Sequence, residues 1–181
     1  MNIFRQNVNC DKMFSKDIIQ KRVIELGEQI TKEYLNKETL VVLGLADGGL
    51  MFAMDLIRKI KLPLEYYTCI IKSYGNTYQS SGEPTHFYFP ECDLNNKNVL
   101  IVDDIKDSGN TLNYVKQHIK KTFNSVKSIE CCVLVENISK ENDIKPKYTA
   151  LETKGEWIFG YGLDDEGLYR NINNIVFKRI K

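Results

Sequence analysis

A chain of 181 residues that is 43% hydrophobic and 27% charged has the length and balance of one soluble domain with a single sizeable core. Its formal net charge of +1 gives no global pull toward nucleic acid or an anionic membrane, and no apolar run approaches the ~20 residues of a membrane span. Five scattered cysteines with no CxxC pair and no Cys/His cluster at zinc spacing point to free thiols in a reducing cytoplasm.

The opening residues, MNIFRQNVNCDKMF, form a polar start without the apolar core of a secretory signal. Ile18, Ile19, Val23, Leu26, Ile30 and Leu35 then recur at helical spacing behind Ser15, a good N-cap; the pattern predicts an amphipathic helix over 15–35. TLVVLGL (39–45) reads as a short buried strand, and ADGGLMFAMDLIRKI turns at two glycines into a second helix. Residues 63–72 are β-rich. The polar stretch SYGNTYQSSGEPTH that follows is long for a loop in a compact domain, as functional lids and disordered segments usually are. FYFPECDL predicts a short edge strand, because Pro90 disfavours a central one. A strand at 98–103, a turn, a helix from about 109 to 123 and a buried strand at 128–136 come next. Cys131 and Cys132, adjacent in that last strand, should point to opposite faces. The remainder reads as short strands and turns around the single tryptophan, Trp157. His86 and His118 stand alone and read as structural. Strands alternating with helices predict an α/β fold, a parallel sheet covered on both faces, with ligands at the carboxyl ends of its strands.

One stretch at such an end concentrates the chemistry. VLIVDDIKDSGNTL (99–112) passes from a buried strand to three carboxylates, a glycine and two hydroxyls within a few positions. Asp and Ser commonly do no more than cap a helix. Ser108, Gly109, Asn110 and Thr111 would also open a helix whose N-terminal N–H groups and dipole bind phosphate. The neighbouring Asp103 and Asp104 suit sugar hydroxyls or a hydrated Mg²⁺.

This stretch resembles the phosphoribosyl-pyrophosphate (PRPP) motif of type I phosphoribosyltransferases: an apolar strand, two acidic residues, then D-[ST]-G-x-T. KSYGNTYQSSG (72–82) resembles the catalytic loop of the hypoxanthine-guanine branch, and WIFGYGLDDEGLYRN (157–171) its purine-binding strand and following segment. Three motifs stand in family order over nearly the whole chain. The resemblance implies the family's fold, a central parallel sheet flanked by helices with a small hood and a mobile loop. It implies one domain over 1–181, with a core at about 37–140 and a hood from the N-terminal residues and about 145–181. It also implies transfer of ribose 5-phosphate from Mg²⁺-PRPP to a purine base, releasing pyrophosphate, as in purine salvage.

On this resemblance Asp103 and Asp104 hold the ribose hydroxyls and Mg²⁺, and Ser108 to Thr111 cradle the 5′-phosphate. Asp107 serves the purine N7 proton as general base or hydrogen-bond partner. Lys72 and Arg170 meet pyrophosphate, joined by the backbone of Gly48 and Gly49, while Ser73 and Tyr74 close over the site. Trp157 stacks on the purine, the Ile158 backbone pairs with its edge, and Asp164 lies near the base and a second Mg²⁺. The family's non-proline cis peptide falls at Ala46–Asp47. Dimers or tetramers are common in the family, so a homo-oligomer is expected, with no nucleic-acid or membrane partner.

Two positions depart from the pattern by charge reversal. Asp47 stands in the pyrophosphate loop where Lys or Arg is usual; it would repel pyrophosphate, help hold Mg²⁺ or turn outward. Counting without gaps, the lysine that donates to the purine 6-oxygen falls on Glu136, whose ionised carboxylate only accepts hydrogen bonds. An adenine substrate, a protonated Glu136, or a substitute such as Lys140 or Lys145 would each answer that. A non-catalytic PRPP- or nucleotide-sensing regulator of the same fold is the competing class.

Overall fold

The computed structural model describes residues 10–72, 84–140 and 143–178. In chain order the elements are β1 (Cys10–Phe14), α1 (Lys16–Tyr34), β2 (Leu40–Ala46), α2 (Gly49–Ile57), β3 (Leu64–Lys72), β4 (His86–Tyr88), β5 (Asn98–Lys106), α3 (Asn110–Thr122), β6 (Ser128–Asn137), β7 (Tyr148–Thr153), β8 (Ile158–Phe159) and β9 (Ile175–Lys178). Ser15 caps α1 as expected, its Oγ accepting from Ile18 N at 3.3 Å. This satisfies one of the amide groups that a helix start leaves without a carbonyl.

Six strands form one sheet in the order β4-β3-β2-β5-β6-β7. The five central and right-hand strands run parallel, and only the edge strand β4 is antiparallel. That edge place accommodates Pro90 just beyond it. Both faces of the sheet are buried. One packs on α1 and α2 through Ile19, Val23, Ile30, Phe52 and Leu56; the other packs on α3 through Leu112, Val115 and Ile119. Cys131 and Cys132 divide between these two cores. All five cysteines are free, and burial pushes the Cys69 thiol up to about 12 and that of Cys131 up to about 11.

A second sheet, ordered β1-β9-β8, is antiparallel and packs Cys10, Phe159, Ile172 and Val176 together. It joins the beginning of the described chain to its end. The sequence CDKMF alternates too weakly to announce β1, which is a strand because β9 pairs with it rather than by its own pattern. His118 packs its ring between Phe87 and Phe89, with centroids 4.8 Å from each, which accounts for it structurally. Among the described residues no helix is long and apolar enough to cross a membrane.

Candidate active site

The carboxyl ends of β2 and β5 open on a cleft of about 310 Å³, lined by Asp103, Asp104, Asp107, Ser108, Gly109 and Arg170 among others. The strand that feeds it runs further than its sequence suggests. β5 continues through Asp103 and Asp104 to Lys106, because β6 keeps pairing with it as far as Lys106↔Glu136. Asp103 and Asp104 are therefore held by sheet rather than by a turn. Asp104 N donates to Asp103 Oδ1 at 3.0 Å, and Ile105 N donates to Asp104 Oδ1 at 2.8 Å. Burial pushes both carboxyls above the usual range. The neighbouring Asp104 charge adds to the rise at Asp103, while the hydrogen bond with Asp103 and the Arg170 charge restrain it at Asp104.

Gly109, with φ of 76°, turns the chain from β5 into α3. The left-handed conformation it adopts is open to glycine at little cost, and it sets the positive end of the helix dipole against the cleft. On the opposite wall, Ala46–Asp47 is a cis peptide. A Cβ on residue 48 would lie 1.7 Å from Asp104 Oδ2, so the backbone reaches that carboxylate only because residue 48 is glycine. Asp47 faces Lys72, its Oδ2 3.3 Å from Lys72 Nζ. The reversed charge in this loop thus has a cation against it.

The segment after β8 folds over the cleft through tight turns, Gly160 N donating to Leu163 O at 2.9 Å and Gly162 N to Arg170 O at 2.9 Å. These turns bring Arg170 beside Asp164. Arg170 Nη2 lies 2.8 Å from Asp164 Oδ1, and Nη1 donates to Gly162 O at 2.6 Å.

A second cavity of about 540 Å³ adjoins the first and is lined by Asn137, Lys140, Trp157 and Ile158. Asp104, Ile105, Asp107 and Asp164 belong to both cavities. The Trp157 indole Nε1 donates to Asp165 Oδ1 at 2.9 Å, which fixes a ring that is otherwise 57% exposed. Asp107 accepts from Asn137 Nδ2 at 2.7 Å and from Lys140 Nζ at 2.5 Å. Partial burial alone would raise the Asp107 carboxyl, but the hydrogen bonds from Lys140 and Asn137 and the charges of Lys140 and Lys106 outweigh it. Asp107 is held below the ordinary carboxylate value.

This geometry coincides with similarity to known proteins. The family model for the phosphoribosyl transferase domain matches residues 12–166. The chain is 35% identical over 161 residues to a hypoxanthine-guanine phosphoribosyltransferase of Bacillus subtilis, covering 88% of each chain. It is 33% identical over 170 residues to a hypoxanthine phosphoribosyltransferase of Haemophilus influenzae, covering 92% of this chain and 94% of that protein. The crystal structure of a Staphylococcus aureus hypoxanthine phosphoribosyltransferase superposes with a TM-score of 0.88 at 32% identity, covering 99% of this chain and 96% of that one. The chain belongs to the phosphoribosyltransferase family.

Most residues that the sequence assigns to a phosphoribosyltransferase site meet at the two cavities: Gly48, Asp103, Asp104, Asp107, Ser108, Gly109, Thr111, Trp157, Ile158, Asp164 and Arg170. Gly49 begins α2, packed against the backbone of Asp103 and Asp104, and Asn110 opens α3. Lys72 ends β3 and reaches Asp47. Ser73 and Tyr74 lie outside the described residues. Glu136 does not join the Trp157 cavity. Leu134 and Val135 both pack into the α1/α2 core, so the strict alternation of β6 slips by one there. Asn137 consequently points into the Trp157 cavity, while Glu136 turns to the other face. There its Oε1 is 3.2 Å from Lys106 Nζ, and its Oε2 accepts from Thr149 Oγ1 at 3.0 Å.

Sequence reasoning missed Lys106 and Asn137. A signal for the first was available: Lys106 interrupts DDIKDSG opposite Glu136 once β5 and β6 are paired in parallel. The chain's donor set also fits Mg²⁺. Among the described residues no three His, Cys, Asp or Glu side chains gather as a closed metal cage. Mg²⁺, however, commonly binds one or two carboxylates and completes its shell with water and substrate phosphate. Asp103 and Asp104 could supply those carboxylates, in a setting that disfavours their ionisation without a cation.

Proposed function

We propose that this phosphoribosyltransferase transfers ribose 5-phosphate from Mg²⁺-PRPP to a 6-oxopurine, hypoxanthine or guanine, releasing pyrophosphate and a nucleoside 5′-monophosphate. The observation that carries this reading is that Asp107 lines both cavities. It borders the one with the buried carboxylate pair and helix start, suited to a sugar phosphate, and the one with Trp157, suited to a flat aromatic ring. A ligand spanning them puts the ribose anomeric carbon and the base nitrogen at their junction. The names of the relatives point the same way and do not favour adenine or a non-catalytic regulator.

The chain's own residues divide the work. Asp103 and Asp104 hold the ribose 2′- and 3′-hydroxyls, and the Ser108–Thr111 turn at the start of α3 receives the 5′-phosphate. The backbone at Gly48 and Gly49, with Lys72 and Arg170, faces the departing pyrophosphate, where negative charge develops. Trp157 holds the base by stacking, with large area and few torsions to freeze, and the Ile158 backbone meets the base edge. When bound by Asp103, Asp104 and the substrate's oxygens, with Asp164 near a second site, Mg²⁺ supplies charge neutralisation for pyrophosphate. In the displacement the bond from C1′ to the pyrophosphate oxygen breaks, the bond from purine N9 to C1′ forms, and the N7 proton passes to the Asp107 carboxylate. Bonding N9 to carbon makes the ring cationic and its N7–H acidic. A carboxylate held ionised by Lys140 and Asn137 is then a sufficient acceptor.

The same reading includes one domain over 1–181 with its hood, a cytoplasmic setting that suits five free thiols, and a homo-oligomer, dimer or tetramer, measurable by sedimentation. The direct test of function is pyrophosphate release from PRPP and Mg²⁺ with hypoxanthine or guanine, suppressed by EDTA. Saturable PRPP binding without turnover on any purine would replace the enzyme with the regulator.

A further inference from the structure

We propose that Lys140 is the residue that donates to the purine 6-oxygen in this protein, and that the Asp107–Lys140 pair sets its preference for 6-oxopurines. The inference rests on the purine reading of the Trp157 cavity given above. Glu136, at the family's donor position, faces away from that cavity and is held by Lys106 and Thr149. The slip in β6 that turns Glu136 away carries the chain on through Asn137 and Ser139, so that Lys140 comes back over the cavity. Ser139 N and Oγ donate to Asn137 Oδ1 at 3.1 and 2.7 Å, and Asn137 in turn donates to Asp107. The loop bearing Lys140 is thereby tied to the same carboxylate that its ammonium reaches at 2.5 Å.

A carboxylate and an ammonium so close together present one acceptor and one donor side by side. A 6-oxopurine carrying its proton on N7 shows the complementary pattern on one edge, an N7–H donor beside the O6 acceptor. Asp107 takes the first and Lys140 the second without separating the two charges. A 6-aminopurine places its amino donor against the Lys140 ammonium, which has donors only, so the two groups meet donor to donor. A site built on such a donor rejects the wrong edge strongly. Lys154 also lines the cavity, but among the described residues Lys140 is the cavity lysine ion-paired to Asp107.

The test compares wild type with Lys140→Met and Lys140→Arg, measuring kcat/KM for hypoxanthine and for unsubstituted purine, which has N7 and N9 but no 6-oxygen. Lys140→Met should lower the hypoxanthine-to-purine ratio about ten- to a hundredfold, the range for a hydrogen bond to a charged group. The KM for PRPP should stay near wild type, and Lys140→Arg should recover part of the ratio. If Lys140 merely orients Asp107, both bases lose rate together and the ratio is unchanged, which overturns the proposal. A collapse of the ratio in Glu136→Gln or Lys154→Met, with Lys140→Met like wild type, overturns it as well. A wild type that turns over no base at all fails the underlying purine reading instead, so the two failures are separable.

Discussion

Asp103 and Asp104 are carboxylates that burial pushes above their ordinary range, with Arg170 as the cation acting on Asp104. A carboxyl raised in the folded state costs stability once it ionises. That cost is full above the folded pKa and fades as pH falls toward the unfolded value of about 3.9. Asp103→Asn should therefore abolish PRPP-dependent turnover while raising the thermal midpoint of the ligand-free protein by a few degrees, at ~2–4 °C per kcal/mol. The gain should be largest at about pH 8 and shrink toward pH 4; calorimetry across that range checks it, and a variant less stable at neutral pH contradicts it. Asp107 has the opposite sign, since Lys140 and Asn137 hold it ionised. Asp107→Asn keeps the shape and most of the hydrogen bonding but cannot receive the N7 proton. Its kcat should fall ~10²–10⁴-fold with the KM for PRPP within a few-fold of wild type.

At the scale of elements, β5 and β6 decide where every functional side chain points. Lys106 and Glu136 sit opposite one another in their parallel register and pair on the α3 face, Lys106 with only 5% of its side chain exposed. Removing one member of a buried pair leaves an uncompensated charge. Glu136→Leu should thus cost about 3 kcal/mol of unfolding free energy, read from denaturant midpoints; a neutral effect would mean that Lys106 finds another partner. The close approach of α2 to β5 is as exacting. Gly48→Ala puts a Cβ 1.7 Å from Asp104 Oδ2, and relieving that overlap should cost ~1–3 kcal/mol together with PRPP-dependent turnover. Most of this was legible in the residues. VLIVDDIKDSGNTL announced a site at a strand end, and Ser15, the pair Cys131/Cys132 and the apolar positions Ile19, Val23, Leu26 and Ile30 of α1 behaved as their patterns require, whereas Ile18 and Leu35 of the expected apolar face are exposed. Two features were not legible. β1 exists through its pairing with β9, a contact between distant parts of the chain. The slip at Leu134–Val135, which decides that Asn137 and not Glu136 faces the Trp157 cavity, is a departure from alternation that two apolar residues in a row do not reveal.

For the whole molecule, the six-stranded sheet supplies the floor of the site, and the stretch from Trp157 through β8 to Arg170 supplies Trp157, Asp164 and Arg170 above it. A ligand reaching both parts ties them together, so PRPP with Mg²⁺ at ~100 times its dissociation constant should stabilise the fold by about 2.7 kcal/mol. PRPP with EDTA should give clearly less. The family pattern was legible across almost the full chain because its motifs are local. The lining of the Trp157 cavity was not, because it turns on the orientation of side chains at the end of β6 rather than on their order in the sequence. Transfer of ribose 5-phosphate to a 6-oxopurine in the two joined cavities is tested by one competition reaction. Equal hypoxanthine and adenine are offered with limiting PRPP and Mg²⁺, and the nucleotide products are separated. Inosine monophosphate should be the dominant product; adenosine monophosphate in excess would exclude a site selective for 6-oxopurines.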